Sequence, residues 1–409
     1  MLKANNKTFM LFSPTGKAAK VLSEYTKQET STIHRGLGYS PNGYFYLYGN
    51  LLKLSDGLPE RYDYYSHFAY NKCNKLNCNI LIIDEFSMVD VWLFNQVIDA
   101  VDFAKTKILL IGDNAQLPSV GCGNLLHDLM ESQLVPTTTL TKVFRYGEGG
   151  LMKIATDVRF CKQYLSNDMR SKMTEFGNNK DYVFVDLESN SIPNQVVQLY
   201  KRLLQKGYSI QDIQVLTAKN VGDCGTVVLN NMLQKIANPS YRSYSSEHLD
   251  YNNKEVSYYK GDLVIQKVNN YNAEIDCDDD TDDRPTAFIA NGETGIIEKV
   301  NMKNNYLVIN FDGIRVRYYQ SHLGMIGLGY CITIHKSQGS SIKIVIVCTP
   351  KSHIFMCNSN LIYVGLTRMK EKCFHLGDFD TVNKAVKKKE NFIRNTWMQQ
   401  LLLEMGNKL

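Results

Sequence analysis

Two acidic residues follow a short apolar run and have the spacing of a phosphate-handling pair. Asp84 and Glu85 come directly after Ile80–Ile83, four apolar residues that predict a strand buried on both faces. The first carboxylate at such a strand end can hold Mg²⁺, directly or through water, and the second can position or deprotonate an attacking water. A solvated strand end explains the pair equally well, so other residues must decide.

A second apolar run ends in the same manner. Residues 107–111 predict another buried strand, and Gly112, Asp113 and Gln116 follow it. The amide of Gln116 is neutral and offers both a donor and an acceptor, so it can respond to phosphate and water together. A polar loop residue without a ligand is an equally good interpretation of Gln116 taken alone.

Two arginines and one polar segment complete the candidate residues. Residues 330–340 are dense in hydrogen-bonding side chains and lead into the predicted strand 344–347. Arg368 ends an apolar segment, and Arg145 ends the segment 140–145. Guanidinium groups stay charged and bind phosphate oxygens with two parallel donors, so both arginines are candidate phosphate ligands. A structural salt bridge is the alternative for Arg368.

Buried strands must alternate with helices to position these residues. Helical spacing occurs between the apolar runs, and Pro193 suits the first turn of one such helix because its missing N–H costs nothing there. Alternation of this kind predicts an α/β protein, with one set of strands before about residue 113 and a second after about residue 213. The predicted helices cover residues 18–25, 91–101, 193–205 and 225–236.

Two stretches interrupt the alternation. Residues 38–79 are rich in Tyr, Phe, Asn and Gly and predict a small hairpin-bearing insertion. Residues 256–323 contain short alternating strands with turn signals at Asn291-Gly292 and Asp312-Gly313, which predict a small all-β barrel. The acidic stretch 276–283 within it lacks the spacing and the glycine of an EF-hand, so a solvated loop is favoured over a calcium site.

Composition excludes several function classes. The chain has 409 residues, 44% hydrophobic and 21% charged, as in ordinary globular proteins of two or three domains. The formal charge of +5 leaves room for a local basic track, and no apolar run has the length of a membrane span. The ten cysteines contain no Cys-x-x-Cys pair, so free thiols in a reducing cytoplasm are favoured over zinc ligands.

The order of the motifs resembles that of the superfamily-1 DNA helicases of the RecD branch, which move 5′→3′. The resemblance covers nearly the whole chain, and the combination is far more specific than any single piece. The matching segments are 13–19, 32–35, 84–88, 112–123, 143–145, 291–295, 333–339 and 367–368.

This resemblance implies an architecture. It predicts two RecA-like domains of the P-loop NTPase type, at residues 1–140 and at 141–255 together with 324–409. The first would carry the insertion 38–79, holding the pin that separates duplex strands. The second would carry residues 256–323 as an inserted SH3-like β barrel. ATP and Mg²⁺ would be the cofactors, and single-stranded and forked DNA the partners, in the cytoplasm (of the host, if the protein is viral).

The resemblance also implies roles for matching positions. Asp84 would hold Mg²⁺, Glu85 would serve the attacking water, and Gln116 would sense the γ-phosphate. Arg145 and Arg368 would stabilise the transferring phosphate. Gly339 would join the nucleotide contacts, although residues 339–341 lack the acidic residue that the family often has there. The implied DNA-contacting residues are Phe12, Pro14, Thr15, His34, Thr333, His335 and Lys336.

The chain departs from the family at its phosphate-binding loop. That loop needs a glycine five residues before its Gly-Lys pair and a Ser or Thr after it, but Leu11 and Ala18 occupy those positions around Gly16-Lys17. No other segment of the chain matches the motif. We therefore expect a first domain that is incomplete at its N-terminus, with the loop encoded upstream as a separate fragment.

Three hypotheses accommodate this departure. The first is the C-terminal part of an ATP-dependent helicase that is inactive without the loop segment. The second is a single-stranded DNA-binding remnant of a helicase that has lost ATPase activity. A remnant has no need to keep all five of the candidate nucleotide residues, which favours the first hypothesis. The third, another phosphate enzyme such as a nuclease or kinase, has little support from the motif order.

Overall fold

The structure, a computed structural model, divides the chain into two units. It describes residues 5–47, 50–54, 63–140, 149–242, 247–252, 255–277, 284–389 and 394–406. Residues 1–140 and 391–409 form the first unit, and residues 141–390 form the second. The last residues thus group with the first unit, whereas the second domain predicted from the sequence includes them.

The first unit is an α/β unit with a small antiparallel sheet attached. Its main sheet has the order β2-β1-β6-β7, and every pairing in it is parallel. The sheet β4-β3-β5 lies within residues 38–79, the stretch for which an insertion is predicted. The strands are β1 (Phe9–Ser13), β2 (Ser31–Thr32), β3 (Tyr39–Leu47), β4 (Asn50–Lys53), β5 (Tyr64–Phe68), β6 (Ile80–Ile83) and β7 (Lys107–Leu110), and the helices are α1 (Gly16–Thr26), α2 (Ile33–Gly36), α3 (Val91–Asp99) and α4 (Leu125–Ser132).

Side-chain caps mark the first residues of two helices in this unit. The hydroxyl of Thr15 accepts a hydrogen bond from the Ala18 amide and caps α1, and Asp90 caps α3 through the Leu93 amide. Such caps satisfy amides that have no partner within the helix. The hydrophobic core of this unit contains Leu81 and Ile83 of β6 and the buried side chains that pack around them.

The second unit contains a six-stranded sheet of order β20-β10-β21-β22-β9-β8, parallel except for the pair β8–β9. This confirms the predicted α/β class. The elements of this part are β8 (Met173–Phe176), β9 (Tyr182–Asp186), β10 (Ile213–Thr217), β20 (Cys331–Thr333), β21 (Ile342–Thr349), β22 (Met369–Gly377), α5 (Gly150–Arg159), α6 (Ile192–Gln205), α7 (Thr226–Ala237), α8 (Ser359–Leu366) and α9 (Phe379–Val386).

The β-rich stretch does not form the expected SH3-like barrel. Its main sheet is open, with the order β18-β17-β16-β13-β19, and no sheet of the described residues closes on itself. Closure would need the end strands to pair, but the edge of β18 instead meets another hairpin at Ile275–Val316. The strands are β11 (His248–Tyr251), β12 (Val256–Tyr259), β13 (Leu263–Gln266), β14 (Asn270–Glu274), β15 (Thr286–Ile289), β16 (Thr294–Asn301), β17 (Tyr306–Phe311), β18 (Ile314–Tyr319) and β19 (Ile326–Leu328).

A buried carboxylate joins this β-rich part to the rest of the second unit. Asp262 is fully buried and accepts hydrogen bonds from Gln234 at 2.7 Å and Asn238 at 2.7 Å. It also accepts from the Tyr330 hydroxyl at 3.0 Å and from the Tyr259 amide at 2.8 Å. Burial raises the pKa of Asp262, and these four donors oppose that shift. The insertion is therefore fixed to α7 and to the approach to β20.

The last described segment returns to the first unit. Helix α10 (Met398–Gly406) packs on α4, and Met398 contacts the core of that unit. Short 3₁₀ turns occur at Phe86–Met88, Asn167–Met169, Pro239–Arg242, Gln320–Met325, His335–Ser337 and Lys351–His353. None of the helices in the described ranges has both the length and the apolar character needed to cross a membrane.

A histidine lies in the centre of the second sheet, within a polar network. His375 is fully buried, and its Nδ1 lies 2.8 Å from the Tyr182 hydroxyl and its Nε2 2.8 Å from that of Thr349. Tyr182 in turn lies 2.7 Å from the Tyr164 hydroxyl. Burial lowers the pKa of His375 to about 3, so the ring is neutral in the folded protein at ordinary pH.

We predict that His375 makes the second unit sensitive to acid. Between pH 6.5, the ordinary pKa of histidine, and pH 3, the unfolded chain binds a proton that the folded chain does not, so stability falls as the pH falls. His375→Gln should reduce the loss of unfolding free energy between pH 6.5 and 5 by about 1.6 kcal/mol. Urea unfolding at both pH values measures this. The exposed His322, changed to Gln, is the control, and a His375→Gln slope equal to the wild type would contradict the prediction.

Candidate functional site

The candidate nucleotide residues of the first unit lie at one edge of its sheet. Phe12 pairs with Ile83, and Ile83 pairs with Leu110, so β1, β6 and β7 end side by side. Backbone hydrogen bonds also link the segments that follow these strands. The Asp84 amide donates to the Phe12 carbonyl, and the Phe86 amide donates to the Ile111 carbonyl. Parallel strands place their carboxyl ends together, which is where open α/β sheets bind ligands. The structure therefore brings the segments of Asp84, Glu85 and Gln116 to a common edge.

The two carboxylates occupy a constrained turn. Asp84 is half-buried, and its Oδ1 accepts from the Glu85 amide at 2.9 Å. Burial raises the pKa of Asp84, and this hydrogen bond opposes the shift. Glu85 has φ 53°, the left-handed region that costs energy for a residue other than glycine. Strain of this kind is common at functional sites and fixes the direction in which the strand leaves the sheet.

Two buried hydroxyls belong to the segments that meet at this edge of the sheet. Ser13 ends β1, Ser87 follows Glu85 by two residues, and both are buried. Neither Oγ atom has a hydrogen-bond partner within the described ranges. A buried hydroxyl without a partner is rare unless a ligand, an ion or water completes the site. Sequence reasoning missed both serines, because burial is what makes their hydroxyls unusual.

Gln116 lies in a tight turn after β7. Its backbone amide donates to the Asp113 carbonyl at 3.0 Å, and the Ala115 backbone amide donates to Asp113 Oδ1 at 3.0 Å. Ala115 and Leu117 are buried on either side of the half-buried Gln116. The turn therefore has a defined shape, set by Asp113.

The predicted DNA-contacting residues of the first unit differ in exposure. Pro14 and Thr15 are half-buried at the start of α1, where backbone amides and a hydroxyl are available. Phe12 is only 3% exposed and belongs to the core, with its ring against Gly36. Its ring therefore packs inside the unit and presents no face to a base, in contrast to the sequence-based expectation.

His34 belongs to an aromatic cluster that includes the insertion. Its ring lies 5.6 Å from Tyr39 and 6.0 Å from Phe68, and Phe68 lies 6.0 Å from Trp92. Burial lowers the pKa of His34, while Asp90 opposes this shift. Trp92 is 54% exposed and is a surface residue that sequence reasoning missed. Its position in the first turn of α3, next to the Asp90 cap, was the available signal.

In the second unit, the polar segment begins where β20 ends. Thr333 pairs with Thr217, and its hydroxyl accepts from the Lys336 amide at 3.3 Å. Thr333, His335 and Lys336 are half-buried. Burial lowers the pKa of Lys336, and the positive charge of Lys267 lowers it further. Burial also lowers the pKa of Lys267 itself.

These two lysines form an electropositive pair that an anion would stabilise. Lys267 follows β13 directly, so the β-rich part brings a basic residue to the segment after β20. Like charges held close in a partly dry site attract phosphate, which relieves their repulsion. Sequence reasoning missed Lys267, because only the folded chain brings positions 267 and 336 near each other.

Arg368 and Gly339 lie together, also in the second unit. Arg368 is 3% exposed and donates to the carbonyls of Val364 at 3.1 Å and Ser340 at 3.3 Å and to the Thr367 hydroxyl at 3.2 Å. Gly339, with φ 70°, immediately precedes Ser340. Arg145, the other predicted arginine, lies outside the described residues.

No group of three or more His, Cys, Asp or Glu residues suited to a metal ion occurs in the described ranges. Asp276 forms ion pairs with Arg315 and Arg317, and the rest of the acidic stretch, 278–283, lies outside the described residues. A Mg²⁺ ion at Asp84 would therefore need oxygen ligands from the nucleotide and from water, as is usual for this ion.

The sequence matches two known families. Residues 1–122 match the AAA domain, and residues 328–374 match the UvrD-like helicase C-terminal domain. An ATP-dependent RecD2 DNA helicase of Deinococcus radiodurans is 29% identical over 90% of this chain. A RecBCD enzyme subunit RecD of Mycolicibacterium smegmatis is 23% identical over 97% of the chain. Over most of its length the chain is therefore similar to RecD-type helicases of superfamily 1.

The RecD-like chain spans only part of these relatives. It corresponds to 42% of the length of the Deinococcus protein and to 66% of the Mycolicibacterium protein. Among solved structures, Pif1 helicase from Candida albicans aligns with the whole chain and 90% of its own length, at 15% identity and a TM-score of 0.49.

We predict that the positive charge of Lys267 contributes, after burial, to the lowered pKa of Lys336. Lys267→Met removes a positive charge and should raise the pKa of Lys336 towards its ordinary value. NMR titration of ¹³C-dimethylated lysines measures the shift. Lys201→Met, on the exposed face of α6, is the matched control and should leave the Lys336 resonance unchanged. An unchanged pKa in Lys267→Met would show that the two ammonium groups do not interact.

Proposed function

We propose that the RecD-like chain is the motor part of an ATP-dependent DNA helicase that moves 5′→3′ on single-stranded DNA. The observation that carries the proposal is the convergence of the Asp84, Glu85 and Gln116 segments at the carboxyl edge of the first sheet. The Deinococcus relative, named as an ATP-dependent DNA helicase, supports it. The direction follows the resemblance to the RecD branch.

The first unit would handle the nucleotide. Asp84 fits a Mg²⁺ ion, since its half-buried carboxylate lies at the sheet edge to which two buried hydroxyls also belong, Ser13 at the end of β1 and Ser87 after Glu85, neither with a hydrogen-bond partner in the described ranges. When bound, Mg²⁺ neutralises charge on the phosphates. Glu85, held in a strained conformation, would orient the attacking water and accept its proton, and Gln116 would contact the γ-phosphate. Arg145, Arg368 and Gly339 would complete the nucleotide contacts.

Each unit would offer residues that contact DNA. In the first unit, Pro14 offers an apolar ring, Thr15 a backbone amide and a hydroxyl, and His34 an imidazole ring. In the second unit, the half-buried Thr333, His335 and Lys336 offer donors for phosphates, and Lys267 adds a positive charge. We also propose that the open β sheet that carries Lys267 is the counterpart of the SH3-like insertion of the family.

The phosphate-binding loop would come from a separate strand-and-loop segment. The 409 residues contain no match to its motif, whereas such hydrolases need its amides and lysine to hold the β- and γ-phosphates. In the described sheet β7 is an end strand, and Leu109 and Ile111 are 50% and 46% exposed. Apolar side chains on a strand that ends a parallel sheet favour the addition of another strand.

We predict little DNA-stimulated ATP turnover by the chain alone and restored turnover with a strand-loop segment of a RecD-type helicase. Asp84→Asn and Glu85→Gln should then reduce turnover by about 10²–10³-fold, because each removes a group needed in the transition state. A coupled phosphate-release assay measures this. Single-stranded DNA binding that persists without any restored turnover would instead support the second function, a binding remnant, which the missing motif favours. Robust turnover by the chain alone would contradict the need for a separate loop.

We predict that Trp92 reports DNA binding directly. The chain has two tryptophans, so Trp397→Phe leaves Trp92 as the single fluorophore. Oligothymidylate should quench its emission by stacking, and Trp92→Ala should weaken binding about tenfold or more, the worth of one stacked base. Fluorescence titration measures the first effect and anisotropy of labelled DNA the second. The affinity should fall steeply with salt.

The exposed Phe103, changed to Ala, is the control for loss of a surface aromatic side chain in the same unit. Binding with unchanged Trp92 emission, and equal affinity in Trp92→Ala, would exclude the aromatic cluster from the DNA path.

A further inference from the structure

The segment after the second unit reaches the loop that follows Gln116. Arg394 is half-buried in the first unit, and its guanidinium donates three hydrogen bonds to backbone carbonyls. The acceptors are Ser119 at 2.6 Å, Gly123 at 2.8 Å and Gly121 at 3.2 Å. A guanidinium can bind three carbonyls at once because its donors form a rigid planar fork.

The opposite side of this loop contacts the start of α3. The Val91 amide donates to the Cys122 carbonyl at 3.1 Å, and a Cβ atom on Gly121 would lie 2.2 Å from the Asp90 carboxylate. Asp90 itself caps α3. The loop is therefore enclosed between the helix start and Arg394, and only a residue without a side chain fits at position 121.

The segment that carries Arg394 has its own anchors. The Thr396 hydroxyl donates to Asp128 of α4 at 2.7 Å, and Met398 contacts the core. At the other end of α10, Gly406 lies against Leu134. These contacts hold residues 394–406 to α4, so Arg394 approaches the loop from a fixed position.

We propose that residues 394–406 form a strap whose arginine positions the Gln116 loop. Ser119 follows Gln116 by three residues, with the buried Leu117 and Pro118 between them, so fixing Ser119 restricts where Gln116 can lie. Arg394 is a positioning residue in this proposal and does not contact the nucleotide. An effect of Arg394 on ATP hydrolysis rests on the proposed role of Gln116. The restraint that Arg394 places on the loop does not depend on that role.

The structural part is tested by hydrogen exchange of the full chain. Arg394→Ala should speed exchange of the amides in residues 113–124 about tenfold, because it removes three charge-assisted hydrogen bonds. Arg394→Lys should give an intermediate rate, since an ammonium group retains donors but lacks the planar fork. Gln400→Ala, at an exposed position of α10, is the matched control: it changes the strap without touching the loop or its anchors on α4, and it should leave this exchange rate unchanged. Equal effects of Gln400→Ala and Arg394→Ala, or no effect of Arg394→Ala, would overturn the proposal.

The functional part is tested in the complemented, DNA-stimulated ATPase. We expect Arg394→Ala to lower kcat about tenfold with KM for ATP within about twofold, because a misplaced Gln116 affects the reacting state more than ground-state binding. Arg394→Lys should recover part of kcat. Faster exchange with an unchanged kcat would overturn the link to Gln116 and leave the strap intact. If the wild-type ATPase cannot be restored, the proposed function fails, and the exchange result still decides whether Arg394 holds the loop.

Discussion

The parallel pairing of adjacent strands is the constraint on which both units depend. Because β1, β6 and β7 end in register, the chain leaves the first sheet at neighbouring points. The polar residues that follow each strand are therefore placed close to one another. The second sheet repeats this arrangement, with Thr333 opposite Thr217 where β20 and β10 end. This register fixes where each strand ends. Helix caps, insertions and the tight turn at Gln116 then set the course of the chain from those points.

Much of the main sheets was predictable, because a strand buried on both faces leaves an apolar run with a sharp polar end. The run Ile80–Ile83 is a strand as predicted, and the helix predicted at 193–205 begins one residue earlier, at Ile192. The β-rich part was less predictable. Its individual strands at 294–300, 306–311 and 314–319 are present, but whether a sheet closes depends on which edges meet, and alternation within single strands carries no information about that.

The residues of the candidate site likewise include some that the sequence predicts and some that only the fold reveals. Asp84, Glu85 and Gln116 could be found from sequence because each follows a strand, and their roles stay predictions. Phe12 was given a DNA contact although it lies within β1, where alternate side chains face the core. Lys267 and Trp92 owe their environments to residues far away in sequence, Lys336 and Phe68, and only the folded chain shows those contacts.

The strap makes the first unit discontinuous, which has a consequence for its biogenesis. Residues 141–390, the whole second unit, are synthesised between α4 and the residues that cover it. At about 5–20 residues per second, the ribosome needs some tens of seconds to add them. During this interval the nascent first unit has an uncovered α4 and a Ser119–Gly123 loop without its arginine. This interval exposes the half-built unit to chaperones and proteases, and it ends only when the second unit has emerged and the strap has docked.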